Sequence, residues 1–144
     1  MKQAVLLVLV VVALVYGYVE ERGPASTGAT PSSQGESTLQ AAFRNRQSDL
    51  QVQGKGVVTR ILPDDLDGSR HQKFILRVDG GQTVLVAHNI DLAPRISQLK
   101  VGDTVQYYGE YEWNERGGVI HWTHHDPKGW HVGGWLKHKG RIYE

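Results

Sequence analysis

Alternation of apolar and polar residues with a period of two constrains this chain more than any other feature of its sequence. Residues 71–78 place Phe74, Leu76 and Val78 on one face, and residues 104–113 alternate in the same way. Successive side chains of a β-strand point to opposite faces of the sheet. Each of these segments is therefore predicted to be a strand with one face in a core.

Five such segments, separated by turn sequences, are predicted to be strands: residues 52–62, 71–78, 83–90, 104–113 and 119–124. Gly54 and Gly56 interrupt the first segment, which favours a bulged and strongly curved strand. Pro94 follows the third segment and predicts a short helical turn before the fourth. This order of elements resembles the OB-fold, so the predicted fold class is all-β, a small OB-like five-stranded barrel.

Two flanking segments are expected to complete the domain. Ser37 or Thr38 can cap an accessory helix that runs to about Gln47, because Leu39, Ala42 and Phe43 recur at helical spacing. The tail that begins at His125 contains two tryptophans and four glycines and has little periodicity. It is expected to form an irregular wrap over one end of the barrel.

The N-terminal residues 4–19 form an almost unbroken apolar run between Lys2 and the acidic pair Glu20 and Glu21. This charge asymmetry predicts export, with the C-terminal side outside the membrane. A helix over the run would span about 24 Å, which leaves a cleaved signal peptide and a retained anchor both open. The expected location is the periplasm or the medium, or the surface of an inner membrane in which residues 4–19 are the anchor.

Residues 20–36 are rich in Gly, Pro, Ser and Thr, a composition that predicts a flexible tether. Residues 37–144 are then expected to be the OB-like domain. Whether this domain self-associates is not determined by any pattern in the sequence.

The charge balance argues against nucleic-acid binding through a strongly basic surface, and the absence of cysteine excludes all thiol chemistry. Lys plus Arg number 16 and Asp plus Glu number 15, so anion binding would have to come from a local patch. The chain has no cysteine, which excludes a thiolate nucleophile, a disulfide framework and a zinc–thiolate site. A metal site would therefore need imidazole and carboxylate ligands.

All seven histidines lie between His71 and His138, and their density is highest after residue 120. We expect His125, Asp126 and His131 to bind a divalent metal ion, Zn²⁺ or Mg²⁺, and the catalytic His124 to help them position the metal and its water. His71 is expected to act as acid or base from across the cleft. The alternative is that these imidazoles only make hydrogen bonds within loops, with no metal or other cofactor. The spacing matches no standard zinc motif, so both interpretations stay open.

Contacts with a phosphodiester substrate are predicted from a second set of residues. Residues 88–95 (H-N-I-D-L-A-P-R) resemble the G-I-D-x-P-E motif of thermonucleases, with Arg95 where that family has its glutamate. This departure removes the general base that the resemblance would imply, and Arg95 is a candidate catalytic residue that contacts the phosphate. Lys128 is a second candidate for the phosphate, and Trp122 and Tyr108 are candidates for stacking on bases or sugars.

The chain also resembles an uncharacterised family of short bacterial exported proteins. The similarity is carried by G-S-R-H-Q-K-F at residues 68–74, H-N-I-D-L-A-P-R-I at residues 88–96 and G-V-I-H-W-T-H-H-D-P-K-G-W-H-V-G-G-W-L at residues 118–136. Such a domain of unknown function implies no mechanism. The sequence therefore favours a metal-dependent hydrolase or nuclease acting on nucleic acid, and leaves as the alternative a non-catalytic envelope module that binds an oligonucleotide, a glycan or a protein.

Overall fold

The computed structural model describes residues 34–144; the predicted export segment and the tether up to residue 33 lie outside this range. In the described range one helix precedes seven strands: α1 (Gln34–Arg44), β1 (Leu50–Asp65), β2 (His71–Arg77), β3 (Thr83–Asn89), β4 (Thr104–Glu112), β5 (Val119–His121), β6 (Trp135–His138) and β7 (Arg141–Tyr143). A short 3₁₀ turn, Asp79–Gly81, joins β2 to β3. None of the described helical residues form a segment long and apolar enough to cross a membrane.

Five of the strands form a closed ring in the order β1-β2-β3-β5-β4, in which β1 also pairs with β4. The ring closes because β1 is long: its first half pairs with β4 and its second half with β2. Neighbours in the ring are antiparallel except β3 and β5, which are parallel. The predicted all-β, barrel-like fold is therefore confirmed.

The core fills the inside of this ring. Gly54 lies directly over the ring of Tyr107, where an added Cβ would come within 2.6 Å of the phenolic oxygen. A larger residue there would displace the tyrosine from the core. The fully buried side chains include Leu39, Phe74, Leu76, Val86, Tyr107, Tyr111, Ile120 and Leu136.

Two connections differ from the prediction. Residues 90–103 contain turns and no helix, so the predicted helical turn at Pro94 was wrong. The buried Gln72 explains the difference, because its amide donates to the Ile96 carbonyl at 2.9 Å and accepts from the Ile96 N–H at 2.9 Å. The accessory helix is present but begins at Gln34 and ends at Arg44, earlier than predicted at both ends.

The C-terminal part also differs. β5 ends at His121 instead of residue 124, since Trp122 has a left-handed backbone with φ of 53°. Only residues 122–134 are irregular, and the rest of the predicted wrap is the β6–β7 hairpin. β5 pairs with β4 only from Glu110 to Glu112, which leaves the other half of β4 free to pair with β6.

Candidate functional site: a carboxylate–histidine cluster on the outside of the ring of strands

Two carboxylates and an imidazole meet on the outer face of β4 and β5. Glu110 and Glu112 flank the core residue Tyr111, so strand alternation turns both carboxylates outward. His121 of β5 is the direct partner of Glu110 across the sheet. One ligand atom from each of these three side chains lies within 4.8 Å of the other two. We call Glu110, Glu112 and His121 the Glu/His cluster.

The imidazole of the cluster has an unusual environment. His121 Nε2 is shielded from solvent and has no hydrogen-bond partner among the described residues. It lies 3.6 Å from Glu112 Oε1, too far for a hydrogen bond. Two ligands of one tetrahedral zinc ion lie about 3.4 Å apart, because each is about 2.1 Å from the metal. The separation therefore suits two neighbouring ligands of one ion.

Negative charge accumulates around the second carboxylate of the cluster. Burial and the neighbouring Asp49 carboxyl group raise the pKa of Glu112 above its usual value. Both causes disfavour the carboxylate form. A cation bound between Glu112 and His121 would relieve this repulsion.

The other carboxylate is positioned by a histidine from the C-terminal loop. His131 donates a hydrogen bond from Nε2 to Glu110, and its Nδ1 lies 2.8 Å from the carbonyl oxygen of Val132. Burial acts to lower the pKa of His131, but these two hydrogen bonds outweigh it and the pKa is raised. The His131 ring also stacks on Trp122, with centroids 4.0 Å apart. Glu110 is thus held in place by a side chain that is itself held on both sides.

An outer groove adjoins the cluster and consists of two hollows that share His71, Ala87 and His121. The small Ala87 side chain, set between longer residues of neighbouring strands, leaves the depression between them. One hollow has a volume of about 210 Å³ and is completed by Ser69, Asn89, Leu92, Trp122 and His124. The other has a volume of about 350 Å³ and is completed by Asp65, Lys73, Glu112 and Val119.

Three residues predicted from the sequence therefore line one hollow: His71, His124 and Trp122. The buried His124 lies next to Trp122, with ring centroids 5.2 Å apart, and its Nδ1 is 2.8 Å from the His125 carbonyl. His131 lies against Trp122 but does not line this hollow.

The remaining predicted residues lie elsewhere. The Asp126 carboxylate accepts three backbone N–H groups of its own loop, and these bonds, with that of His131 first, lower its pKa. Arg95 forms an ion pair with Asp64 at 2.9 Å. Tyr108 is half-buried beside Trp135, with ring centroids 6.1 Å apart. His125 is exposed, and Lys128 lies over the ring of Trp130.

A further imidazole, His88, is buried on the face of β3 opposite to Ala87. Its Nδ1 accepts from the Thr123 hydroxyl at 2.7 Å and its Nε2 donates to the Pro94 carbonyl at 3.0 Å. Burial lowers the pKa of His88 to about 4, against weaker opposing contributions from its hydrogen bonds. This neutral imidazole links β3 to the segment after β5 and so positions Trp122.

Sequence reasoning missed Glu110 and Glu112. A signal for them was present, because two carboxylates two residues apart on a strand share a face. The register that brings His121 opposite Glu110 depends on the conformation of the turn between β4 and β5. The sequence of this turn is compatible with more than one strand register, so the pairing could not be predicted.

Fold and site together define a small all-β domain with a carboxylate–histidine cluster on the outside of a closed ring of strands. The family described as "Protein of unknown function (DUF3465)" matches residues 24–144, and the chain belongs to this family. No curated protein matches the chain.

Proposed function

We propose that the Glu/His cluster binds a divalent metal ion and that the protein uses it to hydrolyse phosphodiesters in the outer groove. One observation carries the proposal: a shielded His121 nitrogen with no hydrogen-bond partner among the described residues faces a carboxylate oxygen at 3.6 Å. Leaving a buried polar atom unpaired costs about 1–3 kcal/mol. A metal ion is the ligand that satisfies an imidazole nitrogen and two carboxylates at once.

The ligand set favours zinc over magnesium. Mg²⁺ prefers octahedral oxygen ligands, whereas imidazole nitrogen is a ligand typical of Zn²⁺ and other transition metals. Two glutamates and one histidine supply three ligands and leave a fourth position for water, as in catalytic zinc sites. The hydrogen bond from His131 to Glu110 is of the kind that orients a carboxylate ligand of a metal ion.

The groove supplies groups suited to a phosphodiester. A bound divalent ion polarises a phosphoryl oxygen and lowers the pKa of a water molecule. Among the described residues, Lys73 is the one Lys or Arg side chain that lines the groove, and it can bind a phosphate oxygen. His71 lines both hollows and is the candidate general acid for the leaving oxygen, while Trp122 offers a ring at the opposite end.

The first experiment measures metal binding. The full chain, freed of metal with EDTA, is titrated with Zn²⁺ and Mg²⁺ by calorimetry, together with His121→Ala, Glu112→Gln and the control His125→Ala. We expect tight zinc binding in wild type and in the control, and a loss of at least a hundred-fold in His121→Ala. Equal zinc affinity in wild type and His121→Ala would contradict the proposal, and loss of affinity in His125→Ala would restore the ligand set expected from the sequence.

The second experiment measures turnover. Hydrolysis of bis-(p-nitrophenyl) phosphate and of single-stranded and double-stranded DNA and RNA is followed with zinc and with EDTA. We expect activity that requires zinc and falls by at least a hundred-fold in His71→Ala, without loss of zinc binding. Oligonucleotide binding without cleavage under all conditions would leave the non-catalytic envelope module.

We also propose that residues 4–19 direct export of the chain. The support is the apolar run between a positive and a negative flank. Fractionation of cells that produce the full chain, followed by mass measurement of the N-terminus, distinguishes a cleaved periplasmic form from an anchored one. An intact chain found only in the cytoplasm would contradict export.

A further inference from the structure

The loop formed by residues 126–132, here the Trp130 loop, has a backbone fixed from within. The Asp126 carboxylate accepts the N–H groups of Lys128 at 3.0 Å, Trp130 at 2.9 Å and His131 at 2.8 Å. The Gly129 N–H donates to the Asp126 carbonyl at 3.0 Å. The Asp126 side chain and main chain together thus accept the four successive N–H groups of residues 128–131, and these bonds fix the backbone of the loop.

This ordered loop exposes a large aromatic ring. Trp130 is 86% exposed, and Val132 beside it is 57% exposed. The Lys128 ammonium lies 5.3 Å from the centroid of the Trp130 ring. A tryptophan can bury about 150–250 Å² on contact, yet this one contributes almost nothing to the core. A loop that presents a largely exposed ring next to a cation is suited to bind an anionic ligand with a planar group.

The Trp130 loop is joined directly to the Glu/His cluster. His131, the next residue, donates to Glu110 and stacks on Trp122. Trp122 in turn lines the outer groove. A chain-like ligand bound at Trp130 would therefore lie next to the side chains that position the cluster.

We propose that Trp130 is a stacking platform for a base of single-stranded nucleic acid and that Lys128 binds the adjacent phosphate. The inference rests on the proposed function, since it names the substrate class of the same site. Stacking on an aromatic ring beside a cation is how proteins hold single strands without reading their sequence. A lipid surface fits less well, because one tryptophan and one valine offer little apolar area for stable membrane docking. A neutral glycan would leave Lys128 without a role.

The test measures binding without metal, so that it does not depend on the cluster. Fluorescence anisotropy of a labelled oligodeoxythymidylate is recorded with the full chain in EDTA for wild type, Trp130→Ala, Trp130→Phe and Lys128→Ala. We expect Trp130→Ala to bind about 5- to 100-fold more weakly, and Trp130→Phe to retain most of the affinity. Lys128→Ala should weaken binding and reduce its dependence on salt. Val101→Ala, a change at another exposed apolar residue, is the matched control and should bind as wild type does.

Two results would overturn the inference. One is equal affinity of wild type and Trp130→Ala for the oligonucleotide. The other is sedimentation of the protein with phosphatidylglycerol vesicles that is lost in Trp130→Ala while the oligonucleotide does not bind. Failure of the zinc titration together with Trp130-dependent binding would remove the hydrolytic function and keep the stacking platform.

Discussion

Among the described residues, histidine contacts carboxylate in two regions of the fold, with opposite results. In the pair formed by His138 and Asp103, Nε2 lies 2.7 Å from a single carboxylate oxygen and the His138 side chain is only 3% exposed. In the Glu/His cluster two carboxylates converge on one imidazole, and His121 Nε2 lies 3.6 Å from Glu112 Oε1. The His138–Asp103 pair is thus a direct hydrogen bond, whereas His121 Nε2 in the Glu/His cluster has no hydrogen-bond partner among the described residues. Unused bonding capacity, not residue type, marks the second as the candidate site.

The largest effect on stability is expected from removing the His138–Asp103 pair. His138→Ala removes the partner of Asp103 from a buried position and leaves a cavity, so the free energy of unfolding should fall by about 3–5 kcal/mol. Urea denaturation measures this loss. Zinc affinity should not change, because the His138–Asp103 pair is not part of the Glu/His cluster. A fall of less than about 1 kcal/mol in the free energy of unfolding would show that the pair does not stabilise the fold.

His88, like His138, is fully engaged: both of its ring nitrogens are hydrogen-bonded, and its effect on stability should depend on pH. Its pKa is about 4 in the folded chain, against an ordinary value of 6.5. Acid therefore favours the unfolded chain, and about 3 kcal/mol of stability should be lost as the pH falls from 6.5 to 4.

Urea denaturation across this pH range, with His88→Gln as the comparison, isolates that contribution. The variant should be less stable at neutral pH and should lose less stability in acid. Parallel pH profiles for the two proteins would show that His88 does not titrate in this way.

Zinc should stabilise the folded chain through the Glu/His cluster without affecting the His138–Asp103 pair. At a free concentration one hundred times the dissociation constant, a bound ion raises the free energy of unfolding by about 2.7 kcal/mol. His121→Ala should remove this gain, yet cost little in metal-free protein because Nε2 has no hydrogen bond to lose among the described residues. Thermal unfolding of wild type and variant with and without zinc measures both effects. A large loss of stability in the metal-free variant would mean that His121 contributes to the fold without any metal.

The smallest effect is expected where a carboxylate is already saturated. Asp126→Asn weakens acceptance of the three N–H groups and should loosen the Trp130 loop while the ring of strands stays folded. Amide hydrogen exchange at Lys128, Trp130 and His131 should accelerate, with the amides of β2 as the unchanged reference. Unchanged exchange at these three amides would show that the loop is held by other contacts.

Strand alternation allowed much of the fold to be predicted. It placed Gln72, Phe74 and Leu76 inward, and these side chains are buried. The β6–β7 hairpin was not predicted, because its two strands are four and three residues long and too short to show a period.

The Glu/His cluster was not predicted because it depends on the pairing of β4 with β5. The left-handed backbone at Trp122 ends β5, so the orientation of His124 does not follow the alternation of a strand and could not be predicted from it. Sequence patterns identified which residues share a face, but the partners across that face depend on register.

The length of β1 also affects the order of events during synthesis. Its first half pairs with residues up to Tyr111, so a ribosome must finish β4 before that half finds its neighbour. Until then the nascent chain exposes an unpaired strand edge, the kind of surface on which chains aggregate. A fragment that stops after β3 should therefore be insoluble, although it contains an intact three-strand meander.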